Sequence, residues 1–177
     1  MIASWHEFYV LLGTAAAALV ALLFVAASIG AGILTGTRTG AVRTFLSPIV
    51  FHYTAVVYFC LIALIPSHTA MSLAVSIGIV AVIGLVYSSV ILYRVHRDAV
   101  SDVADRLGYG TAPLVAYAAS LAAAWLLAAR SLAGPDILAG ALLLLLVVNI
   151  RNAWDTTMTL VRRSAEQRGT RATDDVA

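Results

Sequence analysis

Five apolar stretches, each close to the length needed to cross a bilayer, govern what this chain can fold into. The hydrocarbon core is about 30 Å thick, so a helix rising 1.5 Å per residue needs roughly 20 apolar residues to cross it. Stretches at 8–34, 48–66, 70–93, 113–133 and 137–160 meet that length, the second half of the last being more polar. Only 11% of the 177 residues are charged and 62% are hydrophobic. A water-soluble fold of this size has too much surface to hide such a composition. The counts therefore exclude a soluble enzyme, a disordered chain and a disulfide scaffold. The fold class expected is all-α membrane: a five-transmembrane-helix bundle over 1–163 with a polar cytoplasmic tail at 164–177.

Local punctuation sets the limits. Ser47-Pro48 reads as an N-cap followed by proline at the first helical position. Pro66-Ser67-His68-Thr69 closes the second span and caps the third. Gly108-Tyr109-Gly110 is expected to end a helical stretch before Pro113 opens the next, and Gly134-Pro135-Asp136 to form a tight hairpin. The first eight residues have no basic n-region and the apolar run after them exceeds a signal core, so the first span is expected to be retained.

Arginine placement orients the bundle, because the chain has no lysine. Arg38 and Arg43, then Arg94, Arg97 and Arg106, then Arg162, Arg163, Arg168 and Arg171 fall on one side of a five-span topology. The other side holds only Arg130. That bias predicts the N-terminus outside and the C-terminus in the cytoplasm. In the 94–112 loop, Val95, Ala99, Val103 and Leu107 recur every four residues, opposite Asp98, Asp102, Asp105 and Arg106. This spacing predicts a cytoplasmic extension of the third span or a short helix on the membrane. The tail after Ser164 is predicted to be disordered.

Small residues at four-residue spacing mark helix contacts. Gly13, Ala17 and Ala21, then Ser28 and Gly32, lie on the first span, and Ala74 and Gly78 on the third. They let helix backbones approach within lipid, inside one chain or between copies. Trp5 and Trp125 are candidate interface anchors.

The opening Trp5-x-x-Phe8-Tyr9-x-x-x-Gly13-x-Ala15-Ala16-Ala17, followed by Leu23-Phe24-Val25-Ala26, resembles an uncharacterised family of small multi-pass bacterial inner-membrane proteins. Ser47-Pro48-x-x-Phe51-His52-Tyr53 is a second shared stretch. The resemblance covers the first third of the chain. It implies a multi-pass protein of the bacterial inner membrane and carries over neither an activity nor a catalytic residue.

Polar groups at membrane depth are the strongest pointers to function, because each costs free energy in lipid. On the fifth span Asn149, Arg151, Asn152, Asp155, Thr156 and Thr159 occupy one arc of about 160°. His52 and Tyr53 on the second span, and Tyr87 on the third, fall at similar depth. A polar pocket open to the cytoplasm would be lined by His52, Tyr53, Tyr87, Asn149, Arg151, Asn152 and Asp155. The competing reading is an Arg151–Asp155 pair that snorkels to the interface and stabilises the bundle.

No catalytic motif is present: there is no Gly-x-Ser-x-Gly, His-Glu-x-x-His, phosphate loop or dinucleotide fingerprint. His6 and His68 fall outside, His52 and His96 toward the cytoplasm, which does not favour a bis-histidine haem. Cys60, the sole cysteine, reads as a small buried hydrophobe. No cofactor, metal site or nucleic-acid partner is expected. The function expected is that of a non-enzymatic accessory or interaction protein in the bacterial inner membrane. Its partners are the lipid bilayer and either further copies of itself or a larger membrane protein. The alternative is an oligomeric channel or transporter-like module using the polar pocket.

Overall fold

A computed structural model describes the backbone of residues 5–33, 39–97 and 106–174, and the side chains of residues 5–28, 48–96 and 107–159. Among the described residues the chain is all-helical, with no strand. Helix α1 spans His6–Ile33, α2 Thr39–Ala63 and α3 Ala70–Arg97. A π-helical segment, Arg106–Thr111, runs into α4, Ala112–Ala128, and α5 spans Ala133–Asp174. Among the described residues, four stretches are long and apolar enough to cross a membrane: His6–Ser28, Ala70–His96, Leu107–Ala128 and Ala133–Thr159. The apolar part of α2, Pro48–Ala63, is shorter, about 24 Å at the usual helical rise.

Helix α4 packs between α3 and α5, α1 lies along α2, and α2 closes the bundle against α5 and, more lightly, α3. The buried faces follow the heptad spacing that shallow helix crossings require. On α5 the seam is Leu138, Leu142, Leu145, Asn149, Asn152 and Thr156, all buried. On α3 it is Ala74, Ile77, Ala81, Gly84 and Ser88, and on α4 Pro113, Ala116, Ser120, Ala123 and Leu127. Small residues dominate the α3–α4 contact, where close backbone approach replaces the hydrophobic drive that lipid does not supply. The outward faces are as apolar as the core: Leu22, Ile79, Ile83, Val86 and Trp125 are all exposed. In water such a surface would aggregate; in hydrocarbon it is the expected lining.

The small-residue stripe of α1 divides. Gly13 packs on α2, where a Cβ would lie 3.0 Å from Cβ of Cys60. Ala17 and Ala21 are exposed, and it is Ala16 that is buried beside Tyr9, Leu12 and Leu23. Trp5 packs edge-on against Phe8 at 5.4 Å.

Helix limits differ from the sequence reading at four places. Helix α2 runs through Pro48 instead of starting there, because a proline inside an apolar helix removes one backbone bond without ending it. Gly108-Tyr109-Gly110 does not end a helix but forms the π-helical entry to α4. The α4–α5 reversal lies at 129–132, and Gly134-Pro135-Asp136 sits in the first turn of α5, where a missing N–H costs nothing. The chain from 164 to Asp174 continues α5, since an already nucleated helix extends cheaply through Ala165, Glu166, Gln167 and Arg168. The face expected at Asp98, Asp102 and Asp105 lies outside the described residues, as does Arg38.

Thr69 Oγ1 accepts from the Ser72 N–H at 3.1 Å, and His68 Nδ1 lies 2.8 Å from Ser72 Oγ, so the 66–69 segment caps α3 as its sequence indicates. At the end of α4, Arg130 has φ 58°, the left-handed region. Its N–H donates to Leu127 O at 3.0 Å and the Ser131 N–H to Leu126 O at 2.9 Å, the Schellman pattern with arginine where glycine is usual. Left-handed backbone costs a side-chain-bearing residue about 1–2 kcal/mol, partly offset by the greater unfolded-state freedom of glycine. Arg130→Gly should therefore stabilise the bundle by about 0.5–1 kcal/mol in detergent unfolding. A loss of stability would mean that the Arg130 side chain holds the hairpin.

Candidate functional site

His52 sits on α2 eleven residues before Ala63, and Tyr117 sits on α4 eleven residues before Ala128. At the helical rise both lie about 16 Å from those helix ends. Their shared depth brings His52 Nδ1 within 3.0 Å of the Tyr117 hydroxyl, with both side chains buried. The Tyr117 ring reaches α2 by crossing the surface of α3 at Gly84, where any Cβ would clash with the ring. Tyr87, half-buried on α3, stacks on Phe51 at 4.3 Å and meets the His52 imidazole edge-on at 6.0 Å. His52 is thus held by one hydrogen bond and three aromatic rings.

Tyr53 lies elsewhere. It precedes Cys60 by seven residues, two helical turns, and so shares the α2 face that meets Gly13 of α1. The sequence reading grouped it with His52; the helix turns the two residues to different neighbours.

On α5 the polar arc divides in two. Asn149, Asn152 and Thr156 continue the inward leucine seam. Asn152 Nδ2 donates to Gly108 O at 2.9 Å, and Tyr109 donates its hydroxyl to Asn152 O at 3.0 Å while lying 2.9 Å from Thr156 Oγ1. Gly108 and Gly110 allow this approach: a Cβ at Gly108 would lie 2.7 Å from Asn152 Oδ1, and one at Gly110 would lie 3.2 Å from Cα of Leu92. The inward polar seam therefore locks the π-helical entry of α4 onto α5 and α3. Asn149 Nδ2 donates back to Leu145 O at 2.7 Å.

Arg151 and Asp155 lie half-exposed on the flank of α5, outside the buried seam. Arg151 Nε lies 3.7 Å from Asp155 Oδ2, and the side chains are 54% and 47% exposed. Of the seven residues in that lining, the structure brings His52 to Tyr87, aligns Asn149 with Asn152, and leaves the half-exposed ion pair on the flank of α5, with Arg151 Nη1 beside Gly108.

Tyr117, Gly84, Tyr109 and Gly108 are the participants that sequence reasoning placed in no site. For Tyr117 the available signal was its depth, matched to His52. For the glycines there was none short of knowing which helices touch. Among the described residues no three His, Cys, Asp or Glu side chains cluster. Among the described residues, four buried side-chain atoms have no hydrogen-bond partner: His52 Nε2, Tyr53 Oη, Ser88 Oγ and Asn149 Oδ1. No family model, curated protein or solved structure matches the chain.

Proposed function

We propose that this chain is a five-span protein of the bacterial inner membrane, with its N-terminus outside and C-terminus in the cytoplasm. Its role in this reading is non-enzymatic: it packs against itself or against a larger membrane protein. The arginine distribution supports the orientation. Helix α2 supplies the fifth span, its 25 residues covering about 37 Å. Its shorter apolar part is acceptable there because α1, α3 and α5, rather than lipid, cover much of it.

The observation that carries the reading is the two-sided use of α5. Its inward polar groups hold the bundle together, whereas its opposite face, with Gly140, Leu143, Val147 and Trp154, is exposed along its length. Extraction in mild detergent followed by native mass measurement tests it. A defined oligomer, or a stoichiometric second protein, is the expected result; a bare monomer after cross-linking in intact membranes overturns it.

A second reading, a channel or transporter-like module with a cytoplasm-facing polar pocket, has the unpartnered His52 Nε2, Ser88 Oγ and Asn149 Oδ1 in its favour. Each costs about 1–3 kcal/mol unless water or a small polar solute meets it. Solute permeability of proteoliposomes above that of empty vesicles, lost on Asn149→Leu, would support it; equal permeability would remove it.

A further inference from the structure

We propose that the Arg151–Asp155 pair on the flank of α5 seats a phospholipid headgroup that carries both a phosphate and a primary ammonium, as in phosphatidylethanolamine. The inference rests on α5 crossing the bilayer and adds a ligand to that reading. Three observations lead to it.

The first is depth. Arg130, exposed just before α5, marks one surface of the membrane. Counted from Ala133, Arg151 lies about 27 Å along the helix and Asp155 about 33 Å. The hydrocarbon is about 30 Å thick, so the two residues straddle its far boundary, where headgroups lie. Trp154, exposed and one turn on from Arg151, is a residue type that favours this level. Toward the bilayer centre the neighbouring face of α5 offers exposed Leu143 and Val147 to acyl chains.

The second is unused bonding capacity. Arg151 Nε lies 3.7 Å from Asp155 Oδ2, and both side chains are half-exposed. A guanidinium has five N–H donors and a carboxylate accepts at two oxygens. Among the described residues neither side chain makes a hydrogen bond. The guanidinium nonetheless has a defined place, in the angle between α5 and the π-helical entry of α4: a Cβ at Gly108 would lie 3.9 Å from Arg151 Nη1. Charges held at this depth are costly until a partner meets them.

The third is polarity. The positive member of the pair is the deeper one, and the negative member lies one turn, about 6 Å, nearer the water. A phosphatidylethanolamine headgroup has the opposite order. Its phosphate sits at the boundary and its ammonium beyond it, on a two-carbon linker. Laid beside the pair, the phosphate meets Arg151, the ammonium meets Asp155, and the four charges alternate. Both contacts are charge-assisted hydrogen bonds. Phosphatidylglycerol would meet Arg151 but set no cation against Asp155. The trimethylammonium of phosphatidylcholine has no N–H to donate.

The test uses the full chain in mixed micelles holding phosphatidylethanolamine, phosphatidylglycerol and phosphatidylcholine in equal amounts. Native mass spectrometry counts the lipid that the protein retains. The wild type should retain phosphatidylethanolamine at least about tenfold over the other two, the worth of one hydrogen bond to a charged group. Asp155→Asn should lose that preference yet still retain phosphatidylglycerol, whereas Arg151→Leu should retain neither above the level of phosphatidylcholine. The exchanged variant, Arg151→Asp with Asp155→Arg, keeps an ion pair at the same spacing but reverses its sense. It should show no preference for phosphatidylethanolamine, although a pair that serves only to stabilise the helix would leave lipid retention unchanged. Monodisperse elution of each variant checks that it folds. Equal retention of the three lipids by the wild type, or a preference that survives the exchange, overturns the inference and leaves the membrane-spanning reading in place. A wild-type chain that alkaline carbonate strips from the membrane overturns both.

Discussion

Gly84→Ala is expected to destabilise the bundle by at least about 3 kcal/mol, although it adds one methyl group. The Tyr117 ring occupies the space a Cβ would need, so an alanine there cannot be absorbed by rotating a flexible side chain. The ring is fully buried and tied at its far end to His52. To make room, α3 and α4 must separate or Tyr117 must swing away. The first opens the small-residue contact that holds these helices together. The second breaks the bond to His52 Nδ1 and leaves an imidazole buried with both nitrogens unmet. Gly78→Ala on the same helix is the control: its Cβ would sit 3.9 Å from Cβ of Ala124, an ordinary contact, and its effect should stay within about 0.5 kcal/mol. Replacing Tyr117 by leucine in the Gly84→Ala background should recover part of the loss. Equilibrium unfolding in mixed micelles reads all three. If Gly84→Ala unfolds at the wild-type midpoint, the ring is not seated on Gly84.

The helical class follows from composition, and the approximate place of most apolar segments follows from their length. What the sequence did not reveal was rotation about each helix axis. On the wheel Asn149, Arg151, Asn152, Asp155 and Thr156 span less than half a turn, which predicts a single polar face. Phased against Leu138, Leu142 and Leu145, the same residues separate. Asn149, Asn152 and Thr156 continue the four-three step of the leucines, while Arg151 and Asp155 fall outside it. Burial, not polarity, sets the phase of this helix. Helix ends depart from the sequence pattern for a related reason. Pro48 and the Gly108–Gly110 pair are helix breakers in water, but inside a bundle other groups replace the backbone contacts they give up. The His52–Tyr117 pair shows the limit clearly: depth along the helix was available from counting, and the contact itself needed the angle between α2, α3 and α4.

The residue five on from Gly108 is Pro113, and this gives Asn152 a definite task. A π-helical carbonyl at 108 looks to the N–H of residue 113, which proline lacks. Asn152 Nδ2 supplies the donor from α5 at 2.9 Å. Asn152→Leu is therefore expected to leave a buried carbonyl unmet and to cost about 1–3 kcal/mol. Its effect should be local first: amide exchange across 106–111 should speed up before the rest of the bundle loosens, because the π-helical entry of α4 is what the amide holds. Pro113→Ala restores a backbone N–H at the right place. It should be less harmful in the Asn152→Leu background than in the wild type, by about 1 kcal/mol in a double-mutant cycle. Arg151→Leu, one residue away but on the flank and half exposed, should change the stability of the isolated protomer by no more than about 0.5 kcal/mol. Equal costs for the two leucine variants would mean that α5 does not divide its polar residues between a buried seam and an exposed flank. Additive behaviour of Asn152→Leu and Pro113→Ala would mean that the amide does not stand in for the missing backbone donor.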